Sequence, residues 1–193
     1  WRLIKLEIFK KLKLHKGQAT NIKFCKKIIK KNIKEIYYLA GDSSVTKSFD
    51  QPENSLKSNA LGILNILSTV KNKNKKIKVF NAGSGQFYGN NERNKLDLQS
   101  RIEPRSPYGV AKAAGYWLTK IFRKKYNLFC CTGILFNHES SLRSKEFVTK
   151  KIIDTSKIIK KNKKIKLKLG DVSIYRDWGW APEYVEAFWL MLQ

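Results

Sequence analysis

Apolar and polar residues along the chain form two kinds of segment. Short runs rich in β-forming residues predict strands, and stretches with apolar residues three or four positions apart predict helices. The segments 41–50 and 83–107 have the composition of loops. The predicted strands cover residues 11–16, 35–40, 76–82, 129–136 and 165–169, and the predicted helices cover residues 21–32, 52–70, 108–126, 147–161 and 182–192.

This alternation of strand and helix predicts an α/β fold. At such spacing the connections are right-handed crossovers, which place the strands parallel in a doubly wound sheet covered on both faces. The nearly continuous apolar runs of the strands agree, because a parallel sheet is buried on both sides. Ligands of such sheets bind beyond the carboxyl ends of the strands. We therefore expect functional residues in the loops that follow Ala40, Ala82 and Phe136.

The charge of the chain is strongly positive. Its 193 residues include 40 lysines and arginines against 15 aspartates and glutamates, which gives a formal net charge of +25. Nucleic-acid binding is one function that such a charge suggests. However, the lysines fill the polar positions of helix-like stretches, and no recognition-helix, zinc-finger or aromatic RNA-binding pattern accompanies them. We interpret the charge as solvated surface that weakly attracts anionic ligands, and we expect no nucleic-acid partner.

Composition excludes further classes of protein. A hydrophobic content of 42% is too high for a disordered chain. No apolar run approaches the roughly 18 residues of a membrane span, so we expect no membrane partner. The cysteines Cys25, Cys130 and Cys131 form no CxxC pair and have no metal-ligand spacing. This pattern predicts a cytoplasmic protein without a disulfide framework or a bound metal.

Three polar residues form a candidate catalytic group. Tyr108 and Lys112 stand four positions apart on one predicted helix and therefore face the same direction. A nearby ammonium favours the phenolate and should lower the pKa of Tyr108, which would make it a base for a sugar hydroxyl. Ser84 follows the preceding strand and could hydrogen-bond the same substrate oxygen. In this order on a doubly wound fold, the three residues match the triad of the short-chain dehydrogenase/reductases.

Longer motifs make the resemblance more specific. With the triad, they resemble the GDP-mannose 4,6-dehydratases, which belong to the extended, sugar-nucleotide branch of that superfamily. The resemblance runs from about His15 to Gln193 and implies a partial Rossmann-like dinucleotide-binding region over 1–136 and an incomplete substrate-binding region over 137–193. The motifs are PRSPYGVAK at 104–112, GILFNHES at 133–140, FVTKKI at 147–152 and RDWGWAPEYVEA at 176–187.

The resemblance implies a reaction and a cofactor. Tyr108, helped by Lys112 and Ser84, removes the C4 hydroxyl proton of GDP-mannose while a hydride leaves C4 for NADP. A glutamate then takes the C5 proton, water leaves from C6, and the hydride returns to C6. The C4 ketone makes the C5 proton acidic enough to remove. The product is GDP-4-keto-6-deoxymannose, and the resemblance also implies a homo-oligomer.

The resemblance assigns binding residues by their places in the motifs. An arginine fork among them suits a diphosphate group. The implied cofactor contacts are Leu39, Ala40, Gly41, Asp42, Ser43, Lys112, His138 and Arg143, and the implied sugar-nucleotide contacts are Ser43, Ser84, Asn137, Val148, Lys151 and Arg176.

The chain departs from the family pattern in three ways. No GxxGxxG turn precedes Leu39, so we expect a chain truncated at both ends that binds NADP weakly in isolation. The family glutamate base aligns with Gln86, whose carboxamide is not basic enough to take a C5 proton. Glu92, Asp97 and Asp42 are carboxylates nearby in sequence that the sequence does not place at C5. The family also has an aspartate, a glutamine and a tyrosine where this chain has Gln18, Asp42 and Asn54.

Other functions stay open from the sequence alone. A GDP-4-keto-6-deoxymannose reductase or a sugar-nucleotide epimerase needs the Ser, Tyr and Lys but no glutamate, so Gln86 favours these enzymes. The longer motifs favour the dehydratase. A catalytically inactive paralogue that binds a sugar nucleotide or a partner subunit agrees with truncation and Gln86, whereas Ser84, Tyr108 and Lys112 oppose it.

Overall fold

A computed structural model describes residues 2–89 and 95–193 of the chain. It divides them into two compact units. The larger unit comprises Lys13–Leu135 and Ala187–Gln193, and the smaller comprises Phe136–Glu186 with the described part of Trp1–Leu12. The boundary between Leu135 and Phe136 lies one residue before the predicted boundary at 136/137. The described residues up to Leu12 group with the smaller unit and Ala187–Gln193 with the larger, the reverse of what the predicted boundary implies.

Helices and strands alternate through most of the chain. The helices are α1 (Arg2–Lys5), α2 (Ile22–Ile28), α3 (Val45–Asp50), α4 (Pro52–Leu56), α5 (Gly62–Lys73), α6 (Pro107–Tyr126), α7 (Val148–Lys161) and α8 (Ala181–Leu190). The strands are β1 (Glu35–Tyr38), β2 (Lys78–Ala82), β3 (Cys130–Gly133), β4 (Asn137–Glu139) and β5 (Trp178–Trp180). Short 3₁₀ turns lie at Phe9–Lys11 and Gly85–Tyr88, and a π-helical turn at Lys57–Leu61 joins α4 to α5.

The larger unit contains a parallel sheet in the order β1-β2-β3. Its register pairs Tyr38 with Asn81 and Ala82 with Gly133, so the carboxyl ends of the strands meet at one edge. Successive residues of a strand point to opposite faces. Phe80 stacks on Phe188 of α8 with ring centroids 4.4 Å apart, while the neighbouring Asn81 bonds a helix on the other face. The predicted parallel sheet with helices on both faces is confirmed.

The core of this unit lies between the sheet and helices α2, α5 and α6. Helix α5 contributes the fully buried side chains of Ile63, Leu67 and Val70. They belong to one cluster with Ile77, just before β2, and Val79 of β2. Burial of such side chains contributes roughly 1.5–3 kcal/mol each. This packing fixes the positions of β1, β2 and α6, whose ends carry the candidate catalytic residues.

The smaller unit has much less buried surface. Strands β4 and β5 pair in parallel, with His138 opposite Gly179. Helix α7 buries none of its residues, although Ile152, Ile153 and Ile158 give it an apolar stripe. No helix in the described part of the chain is both long enough and apolar enough to cross a bilayer.

The sequence-based assignment of elements was wrong in several places. Residues 11–16 and 165–169 form no strand; both segments are mostly exposed and pair with no strand among the described residues. The predicted loop at 41–50 contains helix α3, which Ser44 caps by accepting a hydrogen bond from the Lys47 N–H. Strands β4 and β5 were missed because three residues each are too few to show a periodic pattern.

Candidate active site

Helix α6 begins where its sequence specifies. Ser106 occupies the N-cap, and its Oγ accepts the Gly109 N–H at 3.0 Å. Pro107 follows at the first helical position, where a missing N–H has no consequence. These two residues place Tyr108 in the first turn, where its side chain is only 7% exposed. The predicted Tyr108–Lys112 pair therefore lies on one face at the start of α6.

Ser84 meets Tyr108 at the carboxyl end of β2. It is buried, caps the 3₁₀ turn Gly85–Tyr88, and accepts the Gln86 N–H at 3.2 Å. A Cβ on Gly109 would lie 2.8 Å from the Gln86 carbonyl oxygen, so only glycine lets α6 approach this turn so closely. The side chains of Ser84 and Tyr108 share a hydrogen bond. The structure thus brings the predicted serine and tyrosine together.

Lys112 completes the group from the next turn of α6. Its Nζ donates to the Ala82 carbonyl oxygen at 2.7 Å, at the end of β2, and lies 5.7 Å from the centre of the Tyr108 ring. Burial lowers the pKa of Lys112 from its ordinary 10.5 to about 8. The lysine therefore titrates much closer to neutrality than an exposed amine does.

The expected lowering of the Tyr108 pKa was wrong for this structure. Burial of the phenol raises its pKa, the hydrogen bond with Ser84 opposes that rise, and the charge of Asp42 adds to it. The Lys112 ammonium is directed to a carbonyl group rather than to the phenol oxygen. Tyr108 is therefore a neutral hydrogen-bond donor at pH 7, and its conversion to a base requires further positive charge.

A π-helical turn shapes the floor of the site. The Tyr38 hydroxyl donates to the Ser58 carbonyl oxygen at 2.5 Å, within the π-helical turn that joins α4 to α5. Asn59 lies in this π-helical turn. Its Nδ2 donates to the carbonyl oxygen of Asp42, beyond the end of β1, and to that of Ser55, each at 3.1 Å. Its Oδ1 is buried and has no hydrogen-bond partner among the described residues. Such turns frequently occur at functional sites.

The segment 39–43 follows β1 along the same edge. Leu39, Ala40 and Ser43 are exposed, and Gly41 lies against Lys112. A Cβ on Gly41 would stand 3.2 Å from Lys112 Nζ and 1.9 Å from Asn59 Oδ1. The absence of a side chain here leaves these two polar groups beside an open edge. This arrangement fits the reacting end of a dinucleotide, whereas the glycine-rich turn for its diphosphate is not in this sequence.

Gln86 lies in the same turn as Ser84, at the carboxyl end of β2. Its side chain is exposed, and only its backbone N–H bonds the serine. Of the three sequence-nearby carboxylates, Asp42 is half-buried beside the site, and Asp97 accepts hydrogen bonds from Ser100 and from the Gln99 N–H in its own exposed turn. Glu92 lies outside the described residues.

In the smaller unit, His138 is held on both sides. Its Nδ1 is 2.9 Å from the Phe136 carbonyl oxygen, and its ring stacks on Tyr184 with centroids 5.0 Å apart. A ring nitrogen next to a carbonyl oxygen carries the proton, which leaves Nε2 as an acceptor in the neutral ring. Asn137 precedes it on β4, paired with Trp178.

Arg143 is anchored rather than free. Its Nε lies 3.1 Å from Glu139 Oε2, and its guanidinium stacks on Phe147 at 3.5 Å from the ring centre. Glu139 Oε2 also accepts the Thr149 hydroxyl at 2.6 Å. These contacts fix the direction of the arginine before any ligand binds.

The remaining predicted binding residues are not brought together. Val148 and Lys151 are exposed on the first turn of α7. Arg176 is exposed two residues before β5 and donates to the Tyr175 carbonyl oxygen at 2.8 Å. No side-chain hydrogen bond or ion pair among the described residues joins any two of these three.

Sequence reasoning missed Asn59, Glu139 and Tyr184. A signal for Asn59 was present, because Ser55 and Asn59 precede Ile63 at intervals of four and so place two polar residues on the buried stripe of a helix. Glu139 and Tyr184 carry no such signal, because their partners Arg143 and His138 are set by contacts of the folded unit.

Comparison with known proteins gives consistent results. Residues 2–193 match the family model described as GDP-mannose 4,6 dehydratase. The chain is 40% identical over 189 residues to GDP-mannose 4,6 dehydratase 1 of Arabidopsis thaliana, covering 94% of this chain and 52% of that protein. It is also 40% identical over 185 residues to the Homo sapiens GDP-mannose 4,6 dehydratase, covering 94% and 50%. The chain therefore spans about half the length of these curated relatives.

Solved structures support the fold. DesIV, a dTDP-glucose 4,6-dehydratase from Streptomyces venezuelae with NAD and TYD bound, has a TM-score of 0.85 at 16% identity, over 99% of this chain and 58% of that one. RMD from Pseudomonas aeruginosa, complexed with NADPH, has a TM-score of 0.81 at 22% identity, over 92% and 61%. The predicted Rossmann-like class is confirmed.

Proposed function

Since the chain belongs to the GDP-mannose 4,6-dehydratase family, we propose that the protein containing it converts GDP-mannose into GDP-4-keto-6-deoxymannose and water, with NADP as cofactor. The observation that carries the proposal is the grouping of Ser84, Tyr108 and Lys112 at the carboxyl edge of the sheet. That edge is where ligands of parallel sheets bind. The three residues supply a hydroxyl donor, a phenol and an amine, the set needed to oxidise a secondary alcohol.

Tyr108 takes the proton of the C4 hydroxyl in this proposal. Because burial raises its pKa, the phenol needs positive charge beside it to act as a base. Lys112, one turn away on the same helix, supplies part of that charge, and Ser84 holds the substrate oxygen and the phenol in one hydrogen-bonded group. A site enclosed by protein makes these electrostatic interactions stronger than they are in water.

The residues beside Lys112 would hold the reacting end of the nicotinamide cofactor. The segment that follows β1 along this edge consists of Leu39, Ala40, Gly41, Asp42 and Ser43. Because Gly41 has no side chain, the cofactor can approach its backbone closely. When bound, the cofactor accepts a hydride from C4 and later returns it to C6. NADP rather than NAD is part of the proposal, as are the cofactor contacts of His138 and Arg143.

The substrate residues of the smaller unit also belong to the proposal. The proposed contacts of the GDP moiety are Asn137, Val148, Lys151 and Arg176. Those of the hexose are Ser43 and Ser84. Arg176 offers a planar guanidinium for paired hydrogen bonds to phosphate oxygens. Lys151 adds a compact positive charge, and the net charge of +25 favours the approach of a sugar nucleotide.

Product analysis tests the function. The complete reading frame would be purified and incubated with NADP and GDP-mannose, and the sugar nucleotide followed by mass spectrometry. We expect GDP-mannose to lose one water and the product to carry a C4 ketone by NMR. Unchanged GDP-mannose, with bound cofactor verified by fluorescence, would contradict the proposal. A C4 epimer without water loss would instead identify an epimerase.

A further inference from the structure

Gln86 leaves the proposed elimination without a base, and the structure offers a carboxylate for this role. Asp42 follows Gly41 beyond the carboxyl end of β1, which pairs with β2, the strand that ends at Ala82 just before Ser84. Since Gly41 lies against Lys112, the backbone at Asp42 passes directly beside the catalytic lysine. Asp42 thus borders the same edge as the serine, tyrosine and lysine, although it is more than 40 residues from Ser84 in sequence.

The backbone of Asp42 is held from both sides. Its N–H donates to Ser58 Oγ at 3.2 Å, and its carbonyl oxygen accepts from Asn59 Nδ2 at 3.1 Å. Both partners lie on the π-helical turn, which Tyr38 of β1 stabilises through its hydroxyl. A backbone fixed in this way gives the side chain a defined origin, which a proton-transferring group requires.

The carboxylate itself is available. It is half-buried, accepts one hydrogen bond, from the Ser44 N–H at 3.3 Å, and pairs with no lysine or arginine among the described residues. The charge of Asp42 contributes to raising the pKa of Tyr108, in keeping with its place next to Gly41, which lies against Lys112 at the same edge of the sheet. C5 of the sugar is bonded to C4, so a base for C5 must lie close to the phenol.

Other carboxylates of the described residues do not meet these conditions. Asp97 accepts hydrogen bonds from Ser100 and the Gln99 N–H, and Glu103 is exposed to solvent. Asp50 is exposed at the end of α3. Among these described carboxylates, Asp42 combines partial burial with a backbone held beside Lys112.

We propose that Asp42 is the base that removes the C5 proton of the 4-keto sugar, in place of the carboxamide at Gln86. This inference rests on the proposed dehydratase function. The C5–H bond breaks and its proton passes to the Asp42 carboxylate, while the electron pair forms the C5=C6 double bond. The C6–O bond breaks, and the departing hydroxide takes the proton back from Asp42 and leaves as water. The carboxylate is regenerated, and atoms and charge balance.

Hydrogen exchange at C5 tests the inference without any cofactor turnover. GDP-4-keto-6-deoxymannose would be incubated with the complete protein in D₂O, and deuterium at C5 followed by NMR, with the C3 position as an internal reference. We expect the wild-type protein to catalyse the exchange, and Asp42→Asn to lower its rate by about 100-fold or more. Asp42→Gln should lower it similarly. The matched control, Asp97→Asn, should retain the wild-type rate.

A double variant guards against a folding defect. Asp42→Asn combined with Gln86→Glu should regain the exchange that the single variant loses, because the carboxylate returns to the other strand end. Undiminished exchange in Asp42→Asn, no exchange by the wild type, or no recovery in the double variant would each overturn the inference. Transient cofactor reduction in a single turnover with GDP-mannose, before the hydride returns to C6, reports on C4 oxidation separately. Its absence in the wild type would overturn the proposed function, whereas its survival in Asp42→Asn isolates the loss to C5.

Discussion

The two units differ in how firmly they hold their functional residues. In the larger unit, Ser84 and Tyr108 are buried at the ends of elements that pack on fully buried side chains such as Ile63 and Leu67. In the smaller unit, helix α7 buries none of its residues, and Arg176 is exposed to solvent. The proposed reacting groups therefore lie on a well-packed scaffold, while the proposed nucleotide-binding groups are fixed by a few local contacts.

This contrast suits the chemistry that we propose for each region. Proton transfer tolerates only small errors in position, which a packed core prevents. Diphosphate binding depends mainly on charge and tolerates adjustable side chains. His138 and Arg143 are intermediate, because each is fixed by one aromatic neighbour and one polar partner.

The largest expected effect concerns the catalytic phenol. Tyr108→Phe should lower the rate of C4 oxidation by about 10²–10⁴-fold, since it removes the proposed base while keeping the ring that packs at the start of α6. The measurement is the single-turnover rate at which GDP-mannose transiently reduces the cofactor in the complete protein. Tyr116→Phe, on the same helix, is the matched control and should keep its rate. Equal losses in both variants would mean that the effect is structural.

The packing contrast can be tested with one substitution made twice. Ile63→Ala, at a side chain that is 0% exposed, should lower the free energy of unfolding by about 2–5 kcal/mol. Ile153→Ala, at a side chain that is 51% exposed on α7, should change it by less than about 1 kcal/mol. Urea denaturation measures both. A large loss at Ile153 would show that α7 is buried in the protein as it exists.

The burial of Lys112 should make the free energy of unfolding depend on pH. Its pKa is about 8 in the folded chain and ordinarily 10.5, so between these values the unfolded chain binds more protons. The free energy of unfolding of the wild type, relative to Lys112→Met, should therefore rise with pH from about 8 to 10.5, by no more than about 3 kcal/mol. Denaturation across this range checks it, with Lys124→Met as the charge control. If the difference in unfolding free energy between the wild type and Lys112→Met did not change with pH, the burial of the ammonium would be contradicted.

The smallest effect concerns the support of His138. A Cβ on Gly179 would lie 2.2 Å from the Tyr184 ring, whereas one on Gly170 would meet nothing within 4 Å. Gly179→Ala should thus displace the tyrosine, shift the His138 ring resonances in NMR spectra and cost about 1–3 kcal/mol. Gly170→Ala should leave those resonances in place and stabilise slightly, if at all. Identical spectra for the two variants would remove Tyr184 as the support.

The sequence predicts the scaffold of the site better than its electrostatics. The start of α6 was predictable because Ser106 and Pro107 are local signals, and Ser84 because it directly follows a buried run. The sign of the Tyr108 pKa shift was not predictable, since it depends on burial by the whole fold. Asn59 was missed as a site residue because its direction depends on the hydroxyl of Tyr38, about 20 residues away.

Segments with few tertiary contacts were also hard to predict. Residues 165–169 alternate between apolar and basic side chains, a pattern that suits a half-buried strand, yet no partner strand satisfies their backbone among the described residues. Conversely, β4 and β5 form because Asn137–Glu139 and Trp178–Trp180 pair with each other across about 40 residues. Local sequence carries no record of such a pairing.

Isotope transfer tests the proposed function most directly. The complete protein would be incubated with NADP and GDP-mannose deuterated at C4, and the product examined by mass spectrometry and NMR. The proposed chemistry predicts a sugar nucleotide that has lost one water and carries the deuterium at C6. Recovery of unchanged substrate, or a dehydrated product without deuterium at C6, would contradict it.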